Sequence, residues 1–174
     1  MSHTLPGTPV PDLKIPLVGG GAFDLSQSKP ENFTLLLFYR GLHCPVCKGQ
    51  LRDLQNNLDA LAERGVNAVA ISMDNEERAT KAQQDWGVDR LAIGHSLSEV
   101  EARSFGLFLS NGINDNEPEL FSEPGLFLVR PDGTLYFGSI QTMPFTRPSL
   151  KELMMGIDYA LEHDYPARGE VAAQ

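Results

Sequence analysis

The sequence predicts a mixed α/β fold in which one central sheet carries helices on both faces. Three observations carry this reading. Two short, continuously apolar runs, Phe33–Tyr39 and Val66–Met73, have the pattern of strands buried on both faces of a sheet. Between and after them come segments with helical spacing, long enough to return the chain for parallel pairing. A later pair of apolar runs flanks Pro131-Asp132-Gly133, a turn signal that adds antiparallel strands.

The elements follow in order. Residues 9–32 hold Pro9, Pro11, Pro16, Gly19-Gly20-Gly21 and Pro30 around short alternating stretches such as Leu13-Lys14-Ile15, the pattern of an N-terminal β-hairpin joined by a glycine turn. The run 33–39 is the central strand. Leu51, Leu54, Leu58 and Leu61 recur at helical spacing until Gly65, which predicts a helix over 45–64. The strand 66–73 follows. Asp74 and Glu77 have capping-box spacing ahead of a helix over 75–86 that stops at Gly87. A short strand near 91–93 leads to Ser96 and Glu99, which repeat that spacing and open a helix ending at Gly106.

Residues 107–123 read as a long polar loop carrying Asp115, Glu117, Glu119 and Glu123, each most simply a solvated acid; loops of this length are uncommon unless functional. The loop runs directly into Pro124, so it is expected beside the mouth of the site. Strands 126–129 and 135–137 form the second hairpin. Ser149 and Glu152 cap a last helix whose Leu150, Leu153, Met154, Ile157 and Leu161 share a face. A mobile tail is expected from Asp164. The chain of 174 residues is read as one domain with its core over about 9–162.

Composition narrows the function. Forty-one per cent hydrophobic and 21% charged residues are ordinary for a globular domain. Fourteen basic against 23 acidic residues give a net charge of −9, which argues against nucleic acid and anionic lipid as partners. No apolar run approaches the ~20 residues of a bilayer span, and the first ten residues do not resemble a secretory signal, so a cytoplasmic protein is expected. Neither a metal nor another cofactor is expected: the two cysteines are not accompanied by a second pair of zinc ligands.

Those two cysteines, in Arg40-Gly41-Leu42-His43-Cys44-Pro45-Val46-Cys47-Lys48, sit where a buried strand hands over to a helix. Proline favours the first helical position, so Pro45 makes Cys44 the N-cap. A thiolate there faces unpaired backbone N–H groups and the positive end of the helix dipole, and Arg40, Lys48 and a protonated His43 are the cations available to tune it. Settings of this kind bring cysteine pKa values to ~3.5–7.5. Cys44 is therefore the expected attacking thiol, with Cys47 one turn on as the resolving thiol. His43 has a second possible use as a general acid or base, and packing of two small apolar residues is the plain alternative for the pair.

The sequence resembles the thioredoxin-like superfamily, in its peroxiredoxin-like branch related to the alkyl hydroperoxide reductase and thiol-specific antioxidant proteins. The resemblance runs from about Pro9 to Leu161 and rests on Pro11-Asp12-Leu13, Phe38-Tyr39-Arg40-Gly41, the CPVC motif Cys44–Cys47, Val69–Ser72, Glu101–Gly106 and Gly125–Gly133. It implies a thioredoxin-like fold and two templates for the chemistry. In thioredoxin-like reductases the first cysteine attacks, the second resolves, and a cis-proline faces the pair; Pro124 matches that proline. In peroxiredoxins a PxxxTxxC pattern places the peroxidatic cysteine at Cys47, but Arg40 stands for the proline, Cys44 for the threonine, and the expected arginine falls on Pro124. Arg40 and Arg103 are the candidates for polarising a peroxide.

These departures favour a dithiol–disulfide oxidoreductase, with a thiol peroxidase acting on hydroperoxides as the second reading and a non-catalytic redox sensor as the third. The partners implied are a disulfide or hydroperoxide substrate, a thioredoxin- or glutathione-type thiol reductant, and a second copy of the chain as a homodimer.

Overall fold

The computed structural model describes residues 4–172; positions 1–3 and 173–174, the ends of the expected domain, lie outside it. Strand β1 (Lys14–Pro16) pairs antiparallel with β2 (Ala22–Asp24) through the glycine turn. The main sheet is built from β3 (Phe33–Phe38), β4 (Val66–Ile71), β5 (Ala92–Gly94), β8 (Gly125–Val129) and β9 (Leu135–Ile140) in the order β5-β4-β3-β8-β9. β3 runs parallel to β4 and antiparallel to β8, and all six of its residues are buried. That is the environment an uninterrupted apolar run requires.

Alternation along β3 feeds two cores. Phe33, Leu35 and Leu37 pack with Leu51 and Leu54 of α1 (Pro45–Asn56), Leu61 of α2 (Leu58–Glu63), Trp86 of α3 (Glu76–Trp86), and Leu150 and Ile157 of α5 (Leu150–His163). Leu36 and Phe38 face the other way, toward Leu13 and Ile15 of the N-terminal hairpin, Ala102 of α4 (Glu99–Ser104), Phe105 and Phe127. Both cysteines belong to the first core.

Four local expectations shift. The helix expected over 45–64 breaks at Asn57, whose side-chain amide donates to the Asp53 carbonyl at 2.8 Å and so competes with the helical ladder. Asn75, not Asp74, caps α3 by accepting from Arg78 N at 2.9 Å, because the Asp74 carboxylate is committed elsewhere. The capping box of α4 is Ser98 with Glu101, two residues past the expected pair; Ser96 instead turns the chain at φ 59° and donates its N–H to the Asp74 carbonyl.

The fourth shift matters most. Residues 107–123 are not a structureless loop but a hairpin of β6 (Leu109–Asn111) and β7 (Leu120–Ser122) standing off the main sheet. Beyond α5 the chain turns at Asp164, and Tyr165 accepts a hydrogen bond from Tyr136 Oη at 3.0 Å.

Candidate active site

The site forms where β3 ends and α1 begins. Tyr39 N still bonds the Ile71 carbonyl, after which Gly41 takes φ 130°. A side chain there would strike a carboxylate: a Cβ on Gly41 would lie 2.7 Å from Asp74 Oδ2. That same oxygen accepts the Leu42 N–H at 2.7 Å, while Asp74 Oδ1 accepts from Arg78 Nε at 2.8 Å. The end of β4 thus fixes the turn that delivers the first cysteine.

Cys44 is the N-cap of α1, with Pro45 in the first turn, as the spacing predicts; its sulfur accepts the Cys47 N–H at 3.3 Å. Both thiols are unlinked, and Cys44 is 1% and Cys47 0% exposed. The two differ sharply in acidity. A hydrogen bond from the Cys47 side chain pulls the Cys44 pKa down, burial opposes it, and the Cys47 N–H, Arg147 and Arg40 complete a fall to about 5. Burial pushes Cys47 well above the ordinary thiol range, and the neighbouring Cys44 adds to the rise. At neutral pH the pair is one thiolate and one thiol.

Arg147, in the segment before α5, supplies the cation. Its Nη2 lies 3.5 Å from Cys44 Sγ and 3.3 Å from Cys47 Sγ. The rest of the guanidinium is held: Nε donates to the Pro144 carbonyl at 2.7 Å, and Nη1 donates to Gln50 Oε1 on α1. One edge is anchored and the other is aimed at the sulfurs. Nothing local in the sequence singles out this lone arginine, which folding carries across 103 positions.

The other expected residues are distributed as follows. Arg40 reaches the site but is engaged by the β6–β7 hairpin. Its Nε is 3.1 Å from Glu123 Oε2, its Nη2 is 3.9 Å from Glu117 Oε1, and its guanidinium carbon lies 4.7 Å from the Phe121 ring centre. The hairpin therefore borders the site, through Glu117 and Glu123, while Asp115 and Glu119 are exposed.

His43 packs edge-on to Phe121 at 4.6 Å. Burial, reinforced by Arg40, lowers its pKa below the usual histidine value, which disfavours the protonated form that would add positive charge beside Cys44. Lys48 is half-buried on α1; the cationic side chains that lower the Cys44 pKa are Arg147, through its charge, and Arg40, through hydrogen bonding. Arg103, the other candidate for polarising a peroxide, is spent in a surface pair with Glu99 at 2.8 Å.

Pro124 is not the cis-proline that the resemblance implies. No peptide bond among the described residues is cis, so Glu123–Pro124 is trans. The backbone here continues in extended register: Glu123 N donates to the Phe108 carbonyl at 2.8 Å and the Pro124 carbonyl accepts from Gln141 N at 3.0 Å. The feature that most favoured the reductase template is absent.

The sequence profile of the AhpC/TSA family matches residues 6–137. The chain belongs to the AhpC/TSA family. It is a thiol-based redox enzyme of the peroxiredoxin-like, thioredoxin-fold branch. Solved structures that share this fold include the following three. The reduced 2-Cys peroxiredoxin of Plasmodium vivax has a TM-score of 0.77 at 20% identity, covering 92% of this chain and 84% of its own. Peroxidoxin BcpB of Mycobacterium tuberculosis has 0.74 at 18%, covering 91% and 99%. AhpC of Enterococcus faecalis has 0.74 at 16%, covering 99% and 100%. No curated protein is similar enough to count as a relative.

Proposed function

We propose that the protein is a thiol peroxidase with an internal dithiol, in which Cys44 attacks the peroxide and Cys47 resolves. The observation that carries this reading is the aimed edge of Arg147, within 3.5 Å of both sulfurs at a site where Cys44 is only 1% exposed. A hydroperoxide is small enough for so enclosed a thiolate, whereas a polypeptide disulfide needs the site to open. Membership of a family whose structural neighbours include named peroxiredoxins points the same way.

The steps follow from the protonation states. The Cys44 thiolate attacks one peroxide oxygen, the O–O bond breaks, and the departing oxygen takes a proton from water to leave as alcohol or water. Arg147 N–H groups stabilise the charge that develops on that oxygen. Cys44 is left as a sulfenic acid. As the Cys47 sulfur attacks the Cys44 sulfur, its proton passes to the departing hydroxyl, water leaves, and a Cys44–Cys47 disulfide closes. A thioredoxin- or glutathione-type thiol then reduces the disulfide by exchange. A reducing, cytoplasmic compartment suits a chain with only these two cysteines.

The second reading, dithiol–disulfide exchange, is favoured by the same acidity split between an N-cap cysteine and its partner three positions on. Consumption of hydrogen peroxide and tert-butyl hydroperoxide, measured beside insulin reduction with dithiothreitol as common reductant, separates the two. The peroxidase reading expects peroxide turnover with insulin reduction at background. Insulin reduction without peroxide turnover reverses the assignment.

A further inference from the structure

We infer that Glu123 is a positioning residue of the thiol site: it acts through Arg40, whose guanidinium it holds between the β6–β7 hairpin and the loop that delivers Cys44. The inference rests on Cys44 being the thiolate and not on the identity of the oxidant.

Glu123 is 4% exposed, and its partner Arg40 has a side chain only 15% exposed. Their 3.1 Å contact lacks the alignment of a full hydrogen bond, so charge holds the pair together. Burying an ion pair gives little net stability, and apolar residues of similar volume commonly do as well or better. A pair that the fold does not need is instead a means of placing a charge.

The placement is specific. Ser110 Oγ donates to Glu123 Oε1 at 2.8 Å, which fixes the carboxylate from the opposite strand of the hairpin. Ile113 N donates to Glu117 Oε2 at 2.9 Å, which turns the second carboxylate toward Arg40. Phe121 covers one face of the guanidinium and also meets the edge of His43. The hairpin thus holds two side chains, Arg40 and His43, of the segment that ends in Cys44. Arg147 is anchored independently, by Pro144 and Gln50, so the site has two cations on separate supports.

Three groups bear on the Cys44 thiol: Cys47 on α1, Arg147 ahead of α5 and Arg40 on its own segment. Three acids stand behind them: Asp74, which follows β4, and Glu117 act on His43, and Glu117 and Glu123 of the hairpin region pair with Arg40. Of these acids, Glu123 makes the shorter contact with Arg40. Freed from it, Arg40 keeps only the 3.9 Å Glu117 contact and the Phe121 face, and its support of the Cys44 thiolate weakens.

Thiolate absorbance at 240 nm, followed against pH without any substrate, tests this in Arg40→Met, Glu123→Leu and the double variant, with thermal unfolding measured on each. All three should raise the Cys44 midpoint by a similar amount, roughly one pH unit. The single variants should melt lower than wild type, and the double variant should recover because no unpaired charge stays buried. Glu123→Gln, which keeps the shape and removes the charge, should move the midpoint in the same direction and serves if Glu123→Leu does not fold. An unchanged or lowered midpoint on substitution of Glu123, or a further shift when Glu123→Leu is added to Arg40→Met, overturns the inference. A peroxide assay that fails while these shifts appear would count against the peroxidase reading alone.

Discussion

Arg147 reaches Cys44 from 103 positions further along the chain, its Nη2 lying 3.5 Å from the sulfur. The contact joins the segment before the last helix to the N-cap of the first, so the acidity of the thiol depends on tertiary structure as much as on the local motif.

Arg147→Gln should therefore slow oxidation of the protein by peroxide by about 10²–10³-fold, the usual effect of removing a preorganised donor from a charge-stabilising site. It should also raise the pH at which Cys44 ionises, since the Arg147 charge is among the causes of its low value. Stopped-flow oxidation and thiolate titration on the same variant check both. A rate within a few-fold of wild type would remove Arg147 from the mechanism.

The two thiols should titrate far apart. With Cys44 ionising at about 5, alkylation by iodoacetamide at limiting reagent should modify one thiol per chain across neutral pH, fall off only below that value, and map to Cys44 by peptide analysis. Cys47 should react only at strongly alkaline pH or after unfolding, because burial holds it protonated. Equal labelling of both cysteines at pH 7 would contradict this division.

The turn before Cys44 should tolerate no side chain. Gly41→Ala forces a Cβ into Asp74 at φ 130°, and should cost about 1–3 kcal/mol of stability as backbone strain. Asp74→Ala leaves the Leu42 N–H without its acceptor and should cost a similar amount, about 1–3 kcal/mol. Chemical denaturation measures each. Wild-type midpoints in both would mean that the turn does not depend on this clamp.

Mild oxidation should convert the pair into an intrachain disulfide, because a one-turn separation brings the sulfurs within bonding geometry. Non-reducing mass spectrometry should find one Cys44–Cys47 link and a mass lower by two hydrogens. A predominantly intermolecular link would exclude Cys47 as the resolving thiol.

Much of this was legible in the chain. The run 33–39 has the pattern of a doubly buried strand and forms one over Phe33–Phe38, and Pro45 after Cys44 places the cysteine at a helix start; both follow from local chemistry that tertiary structure leaves in place. What was not legible came from contacts between distant segments. Asp74 has the spacing of an N-cap, but the Leu42 N–H and Arg78 claim its carboxylate, and Asn75 takes over the cap.

The 109–122 hairpin was hidden for a different reason. Its strands are three residues long, stand apart from the main sheet, and carry too few apolar side chains to show a period. Its acids read as solvated, yet Glu117 and Glu123 are partners of Arg40. His43 read as a potential cation until burial against Phe121 was visible. Pro124 matched a cis-proline by position, but the extended backbone on both sides of it is trans.

In the proposed peroxidase cycle Cys44, not Cys47, is the thiolate that meets peroxide. Trapping sulfenic acid with a dimedone-type probe after one equivalent of peroxide, in Cys47→Ser and in Cys44→Ser, tests it most directly. The expected result is rapid and complete labelling of Cys44 in Cys47→Ser, where nothing resolves the intermediate, and none in Cys44→Ser. Rapid labelling of Cys47 in Cys44→Ser, with an inert Cys47→Ser variant, would contradict the account and assign the peroxidatic role to Cys47.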